Sequence, residues 1–140
     1  MIVISSKELE TINESFIKMS KHSKNLFENF YSNFFSKDPS IKELFHNVDL
    51  QKQKKMLFES ISYFLTTDEI TADDIENYAN DLKTLHQSLQ ISNEQINSFK
   101  EAFLMTLKET LGIDYTKDVE NIWTKLITNI LTAFSKKRII

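Results

Sequence analysis

Residues that form turns and cross-links are scarce in this chain of 140 residues, which has one glycine, one proline and no cysteine. The absence of cysteine excludes a disulfide framework and any metal site built on thiolate ligands. Sheet proteins of this length need many turn residues, so the scarcity of glycine and proline predicts an all-helical chain. No apolar run approaches the ~20 residues of a membrane span, and the apolar start 1–4 is too short for a signal peptide. We therefore expect a cytoplasmic protein with no membrane partner.

Charge is nearly balanced, with 17 Lys and Arg against 20 Asp and Glu and a net charge of −3. A chain without a long basic block is not expected to bind nucleic acid. The 11 phenylalanines suit a core around a large flat group, but they equally suit a plain helical bundle. No repeat, linker or change in composition divides the chain, so residues 1–140 are predicted to form a single domain.

Capping residues and apolar spacing predict six to seven helices. Ser5 begins the first helix, and Pro39 ends the second and opens a short third one. Gly112 stands where a left-handed helix cap is needed. After the first helix, the predicted helical ranges are about 23–36, 40–45, 50–65, 71–89, 92–111 and 117–137, with loops at 46–49 and 66–71.

One histidine lies on the apolar face of the helix predicted at 71–89. The residues that recur at intervals of three and four, and so share this face, are Ile75, Tyr78, Ala79, Leu82, Leu85, His86 and Leu89. A histidine on such a face points towards the interior, and a buried imidazole in apolar surroundings is the environment that haem iron uses. A core histidine bonded to a backbone carbonyl explains the same pattern, and this helix alone does not decide between the two.

Several landmarks follow this helix pattern in a defined order over residues 7–136. The run 30–39 ends a helix at a proline, Phe45 follows six residues later, Gln53 eight residues after that, and His86 33 residues further on. This order resembles the globin family, particularly bacterial single-domain haemoglobins and the globin domains of flavohaemoglobins. The resemblance implies an all-α globin fold around a haem pocket, with no clear D helix after Phe45.

The resemblance also implies a role for each landmark around haem b. His86 would bind the iron through one ring nitrogen, while the other donates to a carbonyl one turn earlier, for which Leu82 is the candidate. Tyr31 and Gln53 would donate hydrogen bonds to dioxygen, each worth about 0.5–1.5 kcal/mol, which favours slow release. Leu57 would limit the space over the iron. The remaining expected haem contacts are Phe45, Leu82, Leu85, Ile91, Ile96 and Phe99.

Each of these side chains also has an ordinary structural interpretation. Tyr31 can be a buried tyrosine whose hydroxyl reaches the surface, and Gln53, which has lysine neighbours, can face solvent. Phe45 would pack in the core of almost any fold, and Trp123, which matches a tryptophan in the last helix of the bacterial relatives, is predicted to be plain core. The two other histidines lie in polar contexts and are predicted to be exposed: His22 and His46.

Two positions depart from the bacterial pattern. Where those relatives carry a tyrosine after the proximal helix and a glutamate late in the last helix, this chain has Ile96 and Arg138. An apolar Ile96 cannot polarise the imidazole, which weakens the case for peroxidase-like work and fast NO dioxygenation.

We therefore expect a globin that reversibly binds dioxygen or another diatomic gas such as NO or CO, as a monomer or weak homodimer. The alternatives are NO detoxification with a separate reductase, a gas sensor or regulatory globin module, and a helical interaction protein without a cofactor. The reductase would have to be separate because 140 residues leave no room for reductase domains.

Overall fold

The computed structural model describes residues 1–21, 23–86 and 89–136, so the predictions for His22 and Arg138 lie outside the described residues. The described part contains seven α-helices, one 3-10 turn at Gly112–Asp114 and two short strands. Residues 45–49 form turns, as predicted for a chain without a D helix. In chain order the elements are β1 Ile2–Ile4, α1 Ser6–Ser20, α2 Ser23–Lys37, α3 Pro39–Leu44, α4 Leu50–Phe64, β2 Ile70–Thr71, α5 Ala72–Leu85, α6 Asn93–Leu111 and α7 Lys117–Ser135.

The helices begin where their capping residues predict. Ser5, Thr71 and Ser92 each accept the backbone N–H three residues on, and the side chain at that position accepts the cap's own N–H. This reciprocal capping satisfies two backbone donors that a helix start leaves without partners. Gly112 follows α6 with a φ of 55°, a conformation that favours glycine. Local chemistry therefore accounts for most helix boundaries.

Two strands that the sequence analysis did not predict join the start of the chain to the start of α5. β1 pairs with β2 in antiparallel fashion, and the N–H of Ala72 donates to the carbonyl of Met1 at 2.9 Å. Ile4 and Ile70 are each 0% exposed. The prediction of a loop over 66–71 is wrong at its last two residues, because a strand this short carries no periodicity and depends on a distant partner.

The core is centred on α1, α2, α6 and α7. The closest helix packing joins α2 to α6 and α5 to α7. Trp123 of α7 is 1% exposed, and its Nε1–H donates to Ser15 Oγ of α1 at 2.7 Å. The Ser15 hydroxyl in turn donates to the carbonyl of Ile12 at 2.7 Å. The prediction that Trp123 belongs to the core is confirmed, and its polar atom is satisfied within the fold.

α4 is attached more loosely than the other long helices. Phe64 is its one buried side chain, and α4 makes no backbone approach within the described residues as close as that of α2 to α6. Crossing a bilayer requires a length and apolar character that no helix in the described part of the chain combines.

Candidate functional site

His86 lies at the C-terminal cap of α5 with its ring half-buried. Its Nδ1 lies 2.7 Å from the carbonyl oxygen of Leu82, so the hydrogen bond expected between these two residues is present. A carbonyl oxygen only accepts, so Nδ1 carries the hydrogen, and in the neutral ring Nε2 keeps its lone pair. The ring of Phe134 from α7 meets the imidazole edge-on at 5.7 Å between centroids. Two contacts thus orient the imidazole and leave Nε2 free to act as a ligand atom.

The apolar face predicted around His86 is shorter than its spacing suggested. Leu85 is 67% exposed and Leu89 is 40% exposed, so the prediction that both share the buried face is wrong. The physical reason is that α5 ends at Leu85 and His86 adopts a non-helical ψ of 11°, so later residues leave the helical period. Ile75 and Ala79 remain buried on the face of α5. A contact between Leu85 and a cofactor stays a prediction.

One stripe of α4 packs against α1 and α2. The ring of Phe58 stacks on Phe16 of α1 at 5.6 Å and meets Phe27 of α2 edge-on at 5.9 Å. One turn earlier on this stripe, Lys54 pairs with Glu28 of α2 at 3.8 Å between Nζ and Oε1. These contacts fix which side of α4 faces the helical core.

A second stripe of α4 faces α5. Ser60 Oγ lies 2.6 Å from the hydroxyl of Tyr78, and the ring of Phe64 stacks on that of Tyr78 at 4.4 Å between centroids. Leu57 and Gln53 continue the same stripe at helical spacing, and both are half-buried. The structure thus places Gln53 on the face of α4 that is directed towards α5, in contrast to its lysine neighbour at 55, which is exposed.

Helical register relates this stripe to His86. The short connection 65–71 makes α4 and α5 run in opposite directions, with Ser60 beside Tyr78. One and two turns away from that contact, the stripe of α4 carries Leu57 and Gln53, and the stripe of α5 carries Leu82 and His86. The contact between Ser60 and Tyr78 is thus continued by one stripe that carries Gln53 on α4 and another that carries His86 on α5, and we call the space between these two stripes the cleft.

Tyr31 of α2 lies in a cluster of aromatic side chains from α2 and the turn after α3. It is 5% exposed and meets Phe45 edge-on at 5.7 Å and Phe30 at 5.0 Å between centroids. Burial raises the pKa of Tyr31 to about 12, so the phenol is protonated at neutral pH and can donate. Its hydroxyl bonds none of the described residues, and since these include no fully buried polar side-chain atom without a partner, the hydroxyl keeps some access to solvent.

The other predicted contact residues lie in two settings. Phe45, Leu57, Leu82 and Phe99 are partly buried and pack on the core, and Phe99 meets the Phe30 ring at 5.2 Å. Ile91 and Ile96 are half-buried, in the segment after α5 and in the first turn of α6. No hydrogen bond or ring contact in the described residues joins the Tyr31 cluster directly to His86. The prediction that His46 is exposed is confirmed.

The sequence analysis assigned no role to Tyr78, Ser60 or Phe134. Tyr78 was recognised only as part of an apolar stripe and Phe134 was not singled out, and only the packed helices show which side chains they meet. Ser60 carried a usable signal, because it lies seven residues after Gln53 and therefore on the same side of α4.

Comparisons with known proteins agree with this fold. The sequence model of the globin family, described as "Globin", matches residues 28–134 of the chain. Among solved structures, the chain resembles a Pseudomonas aeruginosa PAO1 protein described as structurally highly homologous to a human haemoglobin. The TM-score is 0.74 at 18% identity, over 91% of this chain and 95% of that one. At this identity the likeness shows the fold. No curated protein matches the chain in sequence.

Proposed function

Because the chain belongs to the globin family, we propose that it binds haem b and, at the haem iron, a diatomic gas such as dioxygen, with His86 as the iron-binding residue. The observation that carries this proposal is the 2.7 Å hydrogen bond from His86 Nδ1 to the Leu82 carbonyl. That bond holds the ring in one tautomer and directs the lone pair of Nε2 away from the backbone of α5.

The side chains around the cleft fit this cofactor chemically. A haem needs one axial nitrogen ligand and an apolar setting for a flat ring. His86 offers the nitrogen, and partly buried apolar side chains are present in the turn after α3 and on α4, α5 and α6, namely Phe45, Leu57, Leu82 and Phe99. The donor set and the apolar lining therefore both match the proposed group.

The distal side of the cleft favours a polar diatomic ligand. When bound, haem supplies an iron coordination position at which a gas molecule binds. Tyr31 is protonated because burial raises its pKa to about 12, and its hydroxyl would donate a hydrogen bond to the gas. Gln53 places an amide donor on the opposing stripe of α4, and Leu57 limits the access of water. Two donors favour dioxygen, whose outer atom gains negative charge on binding, and slow its release.

The proximal side favours reversible binding over redox turnover. The acceptor for His86 Nδ1–H is a neutral carbonyl, whereas a carboxylate in that position would raise the electron donation of the imidazole. Ile96 offers the ring no acceptor. We therefore rank gas binding above NO dioxygenation with a separate reductase.

Titration of the purified protein with haemin tests the proposal. The wild type is expected to bind one haemin per chain with a sharp Soret band. His86→Ala is expected to weaken binding at least tenfold and to broaden the band, because the axial nitrogen is lost. His46→Ala is the matched control, since this histidine is exposed in the turn after α3 and should leave both readings unchanged. Equal haemin affinity and equal spectra for His86→Ala and the wild type would contradict the assignment.

A further inference from the structure

The contact between α4 and α5 rests on Tyr78, and we propose that Tyr78 is a positioning residue that sets how far apart the two walls of the cleft stand. Together with Ser60 and Phe64 it forms a group that we call the Tyr78 cluster. Through this cluster, Tyr78 governs how long the cleft retains haem. The inference rests on the proposed function for its ligand, while the spacing of the two helices is a property of the chain alone.

The Tyr78 cluster combines a directional bond with a ring stack. The Tyr78 hydroxyl lies 2.6 Å from Ser60 Oγ, and its ring stacks on Phe64 at 4.4 Å with an interplanar angle of 27°. Phe64 is buried and is the last residue of α4, so the stack lies at the end of the cleft next to the connection 65–71. Burial raises the pKa of Tyr78, against a smaller lowering by the Ser60 hydrogen bond, so the phenol stays protonated at neutral pH. The hydrogen bond therefore persists under ordinary conditions.

Other side-chain links of α4 lead to different helices. Phe58 contacts α1 and α2, and Lys54 pairs with α2. In the described part of the chain, the hydrogen bonds and ring contacts from α4 to α5 are those of the Tyr78 cluster. Since α4 has no close backbone packing there, these side chains determine its distance from α5.

The proposed ligand residues lie further along each helix than the Tyr78 cluster, so a small tilt at the cluster displaces them. Gln53 lies about 10 Å along α4 from Ser60, and His86 about 12 Å along α5 from Tyr78, at 1.5 Å of rise per residue. A tilt of about 10° between the helices at the cluster therefore moves Gln53 by about 2 Å relative to His86. A hydrogen bond tolerates a change of only a few tenths of an ångström between donor and acceptor, so small changes at Tyr78 alter the hydrogen bond that Gln53 would donate.

The test is a double-mutant cycle with haemin as the probe. Tyr78→Phe keeps the ring stack and removes the hydroxyl, and Ser60→Ala removes its partner. Each single variant is expected to release haemin to an excess of a haem-scavenging protein about threefold to tenfold faster than the wild type. The double variant is expected to be no faster than the faster single variant, because both changes break one bond. Tyr63→Phe is the control, since Tyr63 lies on α4 like Ser60 but is 81% exposed. The haemin release rate of this variant should match that of the wild type.

A second measurement separates positioning from general loss of stability. The infrared stretching band of added carbon monoxide reports how closely the distal donors approach, and it is expected to shift in both single variants. An unshifted band together with wild-type haemin release in both variants would overturn the inference, while loss of haemin by His86→Ala alone would still support the proposed function.

If the wild type fails to bind haemin, the proposed function is refuted. Amide hydrogen exchange of the apoprotein then tests the inference about Tyr78. Faster exchange over residues 50–60 in both single variants, with α6 unchanged, would then support the role of Tyr78 in positioning α4. Wild-type exchange rates over 50–60 would overturn it.

Discussion

The buried aromatic residues Trp123 and Tyr31 differ in how their polar atoms are satisfied. Trp123 is 1% exposed and donates its N–H to Ser15 at 2.7 Å. Tyr31 is 5% exposed and its hydroxyl bonds none of the described residues, but these residues include no fully buried polar side-chain atom without a partner, so the hydroxyl keeps some access to solvent. A fully buried polar group needs a partner within the fold, because leaving it without one costs about 1–3 kcal/mol, whereas a group that reaches solvent does not. The difference separates the region that maintains the fold from the region that we propose binds a ligand.

The helices that carry these regions show the same contrast. α7 buries six side chains along its length, whereas α4 buries one and leaves most of its apolar stripe half-exposed. Tight packing makes the α1–α7 region sensitive to any loss of a group, while side chains of the cleft are expected to tolerate substitution with little cost in stability and a large effect on ligands.

Removing the acceptor for Trp123 gives the largest expected change in stability. Ser15→Ala leaves the indole N–H buried without a partner, which is expected to lower the free energy of unfolding by about 1–3 kcal/mol. Urea unfolding of the apoprotein followed by circular dichroism measures this loss. Ser20→Ala is the control, because its exposed hydroxyl bonds only the carbonyl of Ile17 in the same helix. Stability of Ser15→Ala equal to that of the control would remove the contrast between the two regions.

The corresponding change at Tyr31 is expected to leave stability nearly unchanged. Tyr31→Phe removes a hydroxyl that bonds none of the described residues and keeps some access to solvent, so the free energy of unfolding should change by less than about 1 kcal/mol. Dioxygen release, measured by stopped-flow mixing with carbon monoxide, should become about tenfold faster, corresponding to about 1.4 kcal/mol of lost hydrogen bonding. An unchanged release rate would show that Tyr31 does not contact the gas.

A surface ion pair between α1 and α7 gives the smallest effect and a defined pH dependence. The Lys125 ammonium, 2.7 Å from Glu8 Oε2, is the main reason why the pKa of Glu8 lies below its ordinary value of 4.5, and the Ser5 backbone N–H adds to the shift. A lowered pKa in the folded state means that the stabilisation is complete above the ordinary value and is lost as pH falls through the lower, folded one. Both side chains are partly exposed, so Glu8→Gln is expected to cost under about 1 kcal/mol at neutral pH.

Urea midpoints across pH check this prediction. The gap between Glu8→Gln and the wild type is expected at neutral pH and should close in acid well below 4.5, where the wild-type carboxyl is protonated as well. Lys117→Gln is the control, since its bond to Glu120 spans three residues of one exposed helix turn. A gap that widens as the pH falls would mean that the ion pair opposes folding.

Some contacts expected from the sequence are present in the structure. The resemblance to globins implied the hydrogen bond between His86 and the Leu82 carbonyl, and the spacing of four residues places the two within one helical turn. The capping residues placed the starts of α1, α5 and α6 for the same reason. The exposure of Leu85 did not follow, because the end of α5 depends on where its neighbours stop covering it. The roles of Ser60 and Tyr78 belong to two helices and appear in neither alone.

Caps, turns and apolar spacing act within a few residues along the chain. They were enough to specify the helices, the buried Trp123 and the helix face that holds His86, because each depends on local backbone geometry. The pairing of β1 with β2 and the contact of Tyr78 with Ser60 arise between segments far apart or on separate helices. Those were decided by packing, since the energy of a contact exists only once both partners have been brought together.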